Sequence, residues 1–341
     1  MVVPAREMGQ QSRMLGSKRV LVTGAAGFIG SHLVEALLAH GANVTCLTHY
    51  NSASSVGNLG FLPPKARAAI TVSAGNIEDS DFVQRAVEGQ QIVLHLAALI
   101  GIPYSYVAPR SYVRTNVEGT LNILDAARRC GVDRVVHIST SEVYGSARRT
   151  PIDEEHPLQG QSPYSASKIA ADMLAESYYR SFGVPVVTIR PFNTFGPRQS
   201  ARALIPTIIA QGLAGNTVRL GSLTPKRDMT YVTDTVAGMV IAATAAGVEG
   251  ETINLGTGEM FSVGEIAQRA LALMGSKARI EDDPTRKRPD ASEVTALISD
   301  NRKAGSLLGW QPRVTLDDGL RATIDFIERY RKLYSSDQYV V

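Results

Sequence analysis

Three glycines at intervals of three, Gly24, Gly27 and Gly30, follow the apolar run Val20-Leu21-Val22 and lead straight into a helical pattern. No other feature restricts the fold as much. The apolar run suits a buried strand. The glycines let the backbone turn tightly, approach a diphosphate and lay a helix on the sheet, while N–H groups at the helix N-terminus face the anion. Ile29, Leu33 and Leu37 recur every four residues, and Gly41 stands where a left-handed C-terminal cap belongs. Glycine triplets also occur in ordinary loops, and this spacing departs from the standard G-x-G-x-x-G fingerprint. Its position between a strand and an amphipathic helix, ahead of further strand and helix patterns, is what makes it a nucleotide-binding turn.

A chain of 341 residues holds one large or two modest domains with a full core. Its formal charge of +3 is small and its lysines and arginines are dispersed, which excludes a nucleic-acid footprint. Cys46 and Cys130 give neither a disulfide framework nor metal-ligand spacing, so no metal is expected and a reducing cytoplasm is the simplest setting. Residues 1–17 lack the roughly 7 to 15 apolar residues of a signal peptide, and no window supplies ~18 apolar residues for a membrane span. They are expected to form a disordered extension, with Met14 as an alternative start.

Further strands are expected at 44–48, 70–74, 92–96 and 135–139, alternating with helices in the order of a doubly wound α/β fold with a parallel sheet. The second strand ends in Thr48, His49, Tyr50, Asn51 and Ser52, where neither the acid that favours NAD nor an arginine for a 2′-phosphate is present. His49 is a candidate ribose contact. Residues 53–69 read as loop. Asn76 and Ile77 follow the third strand, Asn76 either bonding an adenine nitrogen or capping the helix from about Ser80. The fourth strand runs through Leu96 into Ala97 and Ala98, small enough for a cofactor to approach the backbone. Apolar positions from Pro109 to Arg129 predict one long helix, with Asn116 inside it bonding a neighbouring backbone group.

The fifth strand ends in Ser139-Thr140-Ser141-Glu142, and carboxyl ends of strands are where such sheets place ligands. Glu142 is a candidate acid or base, with an exposed loop glutamate as the plain alternative. Ser162 and Pro163 open the next helix, on which Tyr164 and Lys168 share a face four residues apart. The ammonium is expected to draw the phenol's pKa down from ~10.

These residues resemble the extended short-chain dehydrogenase/reductases that act on nucleotide sugars. The resemblance runs through the glycine turn, His95-Leu96-Ala97-Ala98, Asn116-Val-Glu-Gly-Thr120, the Tyr164/Lys168 pair, Arg190-Pro-Phe-Asn193 and Arg227-Asp-Met-Thr-Tyr-Val-Thr-Asp234 to Trp310-Gln-Pro312. Within that superfamily, Glu142 is similar to the glutamate of 4,6-dehydratases and UDP-glucuronate decarboxylases, whereas 4-epimerases carry a small or hydroxyl residue there. Gln159-Gly-Gln-Ser-Pro-Tyr164 and Asn193-Thr-Phe-Gly-Pro-Arg-Gln-Ser-Ala-Arg202 most resemble the 4,6-dehydratases of the legionaminic acid pathway, and Ser141 before the glutamate resembles the GDP-mannose type.

The resemblance implies a Rossmann-type domain over residues 18–195 and a smaller α/β lid over 196–335, some of whose elements return to the first sheet. It implies NAD as cofactor, with NADP left open, held by Gly24, Gly27, Phe28, Ile29, His49, Asn76, Ile77, Leu96, Ala97, Ala98, Asn116, Tyr164 and Lys168. The partner is a nucleotide-diphosphate hexose, UDP- or GDP-N-acetylglucosamine among the candidates, met by Thr140, Asn193, Arg198, Arg227 and Arg288. The implied catalytic set is Thr140, Ser141, Glu142, Tyr164 and Lys168, with a cofactor that is reduced and reoxidised within one turnover. Tyr164 takes the O4 proton as hydride leaves C4. Glu142 removes the C5 proton, water leaves from C6 and hydride returns there. Epimerase and decarboxylase chemistry are the alternatives, and a non-catalytic cofactor sensor is disfavoured because both tyrosine and lysine are kept. A homodimer through helices at about 110–129 and 164–181 is expected by analogy.

Overall fold

Val20, Leu21 and Val22 are wholly buried because Arg19–Thr23 (β1) lies inside a parallel sheet, between Asn43–His49 (β2) on one side and Ile92–His95 (β4) on the other. The computed structural model describes residues 15–286, 289 and 292–334. With Phe28–Ala39 (α1), Thr71–Gly75 (β3), Ser80–Val87 (α2), Gly119–Cys130 (α3), Arg134–Ile138 (β5), Pro163–Phe182 (α4) and Val186–Pro191 (β6), the chain builds a doubly wound α/β unit. Helix Leu204–Ala214 (α5), strand Thr217–Leu220 (β7) and helix Val232–Ala242 (α6) follow, and strand Thr252–Leu255 (β8) then joins the far edge of the first sheet. The seven strands stand in the order β8-β6-β5-β4-β1-β2-β3. One face is covered by α1, α6 and Trp310, the other by α2, α3 and α4.

A separate apolar cluster forms around α5, helix Val263–Leu273 (α7) and helix Leu316–Arg329 (α8), beside a two-stranded pairing of β7 with Arg279–Asp282 (β9). Asp234 in the first turn of α6 ties the two clusters. Its carboxylate accepts the backbone N–H groups of Arg313 and Val314, each at 2.9 Å, and its carbonyl accepts Trp310 Nε1 at 2.8 Å.

The structure departs from the sequence expectations in four places. Leu15 is buried in the main core and Ser17 N–H bonds Gly41 O, so residues 15–17 belong to the fold and not to an extension. Residues 53–69 contain short helices at Gly57–Phe61 and Pro64–Ala68, the second started by a proline whose fixed φ suits a first turn. The long helix expected from Pro109 is a short α-turn, a π-turn over Val113–Glu118 and α3, because Asn116 bonds outside its own helix. The cap of α2 is Asp79, which accepts Phe82 N–H at 3.0 Å, whereas Asn76 accepts Glu78 N–H at 3.1 Å in the preceding turn.

The crossing of α1 over β1 requires glycine. A Cβ on Gly30 would stand 2.2 Å from Gly24 O and 2.9 Å from Ala25 Cα, both backbone atoms that cannot swing away. Gly30→Ala should therefore lower the unfolding free energy by about 3 kcal/mol, the upper end of ordinary overpacking, despite the better helix propensity of alanine. Urea unfolding followed by circular dichroism measures this, and an unchanged midpoint would contradict the close approach.

Candidate active site

Gly24 adopts φ +67°, and a Cβ there would lie 2.9 Å from Ala97 N, so the glycine turn and the tract Leu96-Ala97-Ala98 press together. Gly27, in extended backbone, precedes α1 without any side-chain cap, which leaves first-turn N–H groups for an anion. Phe28, Ile29, Leu96, Ala97 and Ala98 are all partly exposed around this mouth. These features fit a dinucleotide's diphosphate. His49 and Asn76 are exposed at the ends of β2 and β3, and Ile77 is buried, its carbonyl taking Asn122 Nδ2 at 3.0 Å.

Beneath the mouth runs a buried polar chain whose proton directions are fixed by counting donors. Thr23 Oγ1 accepts Leu96 N–H (3.1 Å) and Ala97 N–H (3.0 Å), so its own proton goes to His95 Nδ1 at 2.9 Å. His95 therefore carries its proton on Nε2 and donates to Thr120 Oγ1 (3.0 Å), which donates to Asn116 O (2.6 Å). The Asn116 side chain brackets Leu99, accepting its N–H at 2.8 Å and donating to its carbonyl at 3.0 Å, and also donates to Ser167 Oγ at 2.9 Å. Asn116 is thus a backbone clamp next to the helix that carries the tyrosine.

Thr140 N-caps the 3₁₀ turn Ser141–Tyr144, its hydroxyl accepting Glu142 N–H at 3.2 Å. Ser141 and Glu142 are buried in that turn. Across from it, Ser162 and Ser165 form a capping box that starts α4, and Tyr164 lies in its first turn with Tyr112 edge-on at 6.2 Å. Lys168 is buried one turn on and donates to Ile138 O at 2.8 Å. Burial lowers its ammonium's pKa to about 8, with Asp172 acting against the shift. Tyr164 corrects an expectation. Burial pushes the phenol well above its ordinary value, Glu142 pushes the same way, and the Thr140 hydroxyl, a hydrogen-bond partner, pulls it back. Desolvation of an enclosed phenolate outweighs the Thr140 hydrogen bond. Thr140, Glu142 and Tyr164 are thus brought within interaction range of one another.

Sequence reasoning missed a second layer. Asp172 Oδ2 accepts Ser139 Oγ (2.9 Å) and Arg190 Nε (3.0 Å), its Oδ1 faces His137 Nε2 at 3.0 Å, and Arg190 Nη1 donates to Tyr144 OH at 3.0 Å. The available signal was an acid four residues past Lys168 and an arginine inside an apolar strand.

The expected substrate residues are scattered. Asn193 starts a short strand beside Met229–Tyr231, and its buried Oδ1 has no hydrogen-bond partner among the described residues. Arg227 is buried in the second cluster's edge, donating to Val294 O at 2.8 Å and pairing with Glu293 at 3.2 Å. Arg198, in left-handed backbone, turns instead to Glu35 of α1 at 2.9 Å, with Nε and Nη1 buried and without a partner among the described residues. Arg288 lies outside the described residues. Among the described residues no group of His, Cys, Asp and Glu could hold a metal ion, and no helix is long and apolar enough to cross a membrane.

Residues 21–323 match the family model described as GDP-mannose 4,6 dehydratase. The chain is 37% identical to a dTDP-glucose 4,6-dehydratase of Streptomyces griseus, over 92% of this chain and 94% of that one. It is also 34% identical to a UDP-glucose 4-epimerase of Mycolicibacterium smegmatis, over 90% and 98%. Among solved structures it is similar to DesIV, the dTDP-glucose 4,6-dehydratase of Streptomyces venezuelae with NAD and TYD bound, at TM-score 0.84 and 32% identity, covering 93% of this chain and 98% of that one.

Burial holds three imidazoles neutral: His32, lowered to about 4, and His95 and His137, both below their ordinary value. The unfolded chain binds these protons near pH ~6.5 and the folded chain does not, so stability present above that pH is lost as pH falls towards the folded values. Each adds a slope of about 1.4 kcal/mol per pH unit. Calorimetry should show Tm falling steadily between roughly pH 6.5 and 4.5. His95→Gln should flatten that fall, and an equal slope in the variant would contradict the neutral assignment.

Proposed function

Since the chain belongs to the GDP-mannose 4,6-dehydratase family of nucleotide-sugar enzymes, we propose that it is a nucleotide-sugar 4,6-dehydratase, forming an NDP-4-keto-6-deoxy sugar. The observation that carries this reading is the convergence of Thr140, Glu142 and Tyr164, with Glu142 buried close enough to act on the tyrosine's ionisation. NAD, when bound, accepts a hydride from the sugar and returns it within the turnover.

The chain's own groups divide the remaining work. Tyr164 takes the proton from O4, with Thr140 bonding the same oxygen and Lys168 holding the phenolate and the cofactor's ribose. Glu142 removes the proton from C5, acidified by the 4-keto group. Ser141 stands where the dTDP-glucose type is expected to carry an aspartic acid, and a serine hydroxyl is a poor acid at neutral pH. Glu142 therefore delivers the proton it has taken to the leaving C6 hydroxyl, which departs as water. As hydride returns to C6, C5 takes a proton from solvent through Glu142, and Tyr164 gives the O4 proton up to solvent, so both groups end as they began. The partnerless Asn193 Oδ1 supplies an acceptor for a sugar or nucleotide donor, and Arg227 a guanidinium suited to diphosphate oxygens. The sugar nucleotide is the expected partner. Exposed Val113, Leu121 and Met173 on the helices that flank the site fit a homodimer face, and the two free cysteines fit a reducing cytoplasm.

Purified protein supplied with a panel of nucleotide hexoses should release a product lighter by one water, with the nucleotide retained and no steady-state accumulation of reduced cofactor, as read by mass spectrometry and near-ultraviolet absorbance. Unchanged mass with inverted C4 would make it an epimerase, and loss of carbon dioxide a decarboxylase. Glu142→Gln should slow dehydration by about 10²- to 10⁴-fold while still reducing the cofactor once. Full turnover by that variant would remove Glu142 from both proton transfers.

A further inference from the structure

Asp172 lies one helical turn beyond Lys168 on α4 and is 3% exposed. Every neighbour of its carboxylate comes from a different part of the site. Ser139, bonded to Oδ2 at 2.9 Å, immediately precedes Thr140. Arg190 on β6 reaches Oδ2 through Nε and Nη2, each at 3.0 Å, and its Nη1 donates to Tyr144, the residue that closes the turn carrying Glu142. The same guanidinium lies over the Tyr144 ring at 5.0 Å, and the Tyr144 hydroxyl donates to Asn254 at 2.8 Å. His137 on β5 meets Oδ1 at 3.0 Å.

We infer that Asp172 is a positioning residue for the reaction: its carboxylate keeps Lys168 in the ammonium form and, through Ser139 and the Arg190–Tyr144 pair, fixes the turn that presents Thr140 and Glu142. This rests on the reading of Tyr164, Lys168 and Glu142 as the reacting groups. An ammonium enclosed without an anion loses its proton, because desolvation penalises the charged form. Lys168 donates to the Ile138 carbonyl of β5, and its charge acts on His137 from β5, His95 from β4 and Asp172 from its own helix. Tyr164 stands one turn before it on α4, and Arg190 from β6 pairs with the same Asp172. Both imidazoles are neutral, held so by burial and by the ammonium itself. Arg190 is a competing cation. Asp172 supplies the negative charge that opposes the downward push of burial on Lys168.

Arg190, paired with the carboxylate, and Lys168, one helical turn from it, give the test its sign. Asp172→Asn removes the anion, so Lys168 loses its proton at lower pH and the basic limb of the kcat profile moves down by about one pH unit or more. In that variant kcat falls at least tenfold at neutral pH while KM changes little. Arg190→Met removes the cation paired with Asp172 and moves the limb up. Loss of mere packing would depress both variants without opposite displacements, so an unmoved limb in Asp172→Asn, or displacements of one sign in both, overturns the inference. Lys168 is also followed without any sugar, by NMR of ε-¹³C-lysine protein with its resonance identified through Lys168→Arg. The parent protein must show a protonated Lys168 at neutral pH, and a neutral amine there overturns the inference even if neither variant folds. If the parent dehydrates no nucleotide hexose yet Lys168 titrates as stated, the functional reading fails and the role of Asp172 in setting the charge stands.

Discussion

Polar side chains buried at the carboxyl edge of a parallel sheet must find partners there, and that demand organises this protein. An unsatisfied buried donor or acceptor costs about 1 to 3 kcal/mol. Thr23, His95, Thr120, Asn116 and Ser167 meet the demand in one directed chain that spans from the strand before the glycine turn to the helix bearing the tyrosine. Ser167 ends it by donating to Tyr164 O at 2.7 Å. The mouth that fits a dinucleotide and the helix bearing Tyr164 are therefore parts of one hydrogen-bonded platform. The π-turn at Val113–Glu118 is the local consequence, since a helix that lends Asn116 to Leu99 cannot keep regular spacing through that residue.

A site this dry works against its own chemistry. Enclosure raises the Tyr164 phenol, when a proton acceptor needs it lowered, and lowers Lys168, when a charged partner needs it raised. Each shift is opposed by one specific neighbour, Thr140 for the phenol and Asp172 for the ammonium. The same dryness strengthens every such pairing, because the local dielectric is low. The proposed chemistry then depends on close contacts, which is a physical reason for the hydrogen-bonded layer beneath.

What was legible in the sequence was local. The glycine turn, the Ser162 cap and the Tyr164/Lys168 spacing are short-range patterns, and each stands where its spacing put it. Glu142 could be singled out because strand ends are where ligands sit. Contacts closed by tertiary folding were not legible. Arg190 and Asp172 are 18 residues apart and meet only because α4 packs on β6. Arg198 reaches Glu35 across 163 residues, which no motif announces. Asn76 was the candidate cap by composition, and the turn geometry gives that place to Asp79 instead. The direction of the Tyr164 shift failed because proximity of charges can be read from spacing, whereas the degree of enclosure cannot.

The segment leading into the tyrosine helix shows how a reaction can be chosen on a shared framework. Gln159 donates to the carbonyls of Tyr144 (2.8 Å) and Ser146 (3.0 Å), its N–H bonds Val143 O at 2.7 Å, and Gln161 accepts Ser146 N–H at 2.7 Å. Gly145, with φ +61°, lets the chain turn back under this clamp, and a Cβ there would stand 2.6 Å from Gln161 Oε1. The turn that carries Glu142 is thus held by the residues just before Ser162 and Tyr164. Oxidation at C4 needs only the tyrosine, lysine and threonine, so any enzyme with this platform can begin the same way. In the proposed reaction the fate of the 4-keto sugar depends on the group at C5, and Glu142, the residue assigned to it, is held in register with the tyrosine by two glutamines and a glycine. Glu142 and Tyr164 cannot drift apart without breaking the same few hydrogen bonds, so the carboxylate proposed to eliminate water is held by the same clamp as the proposed base.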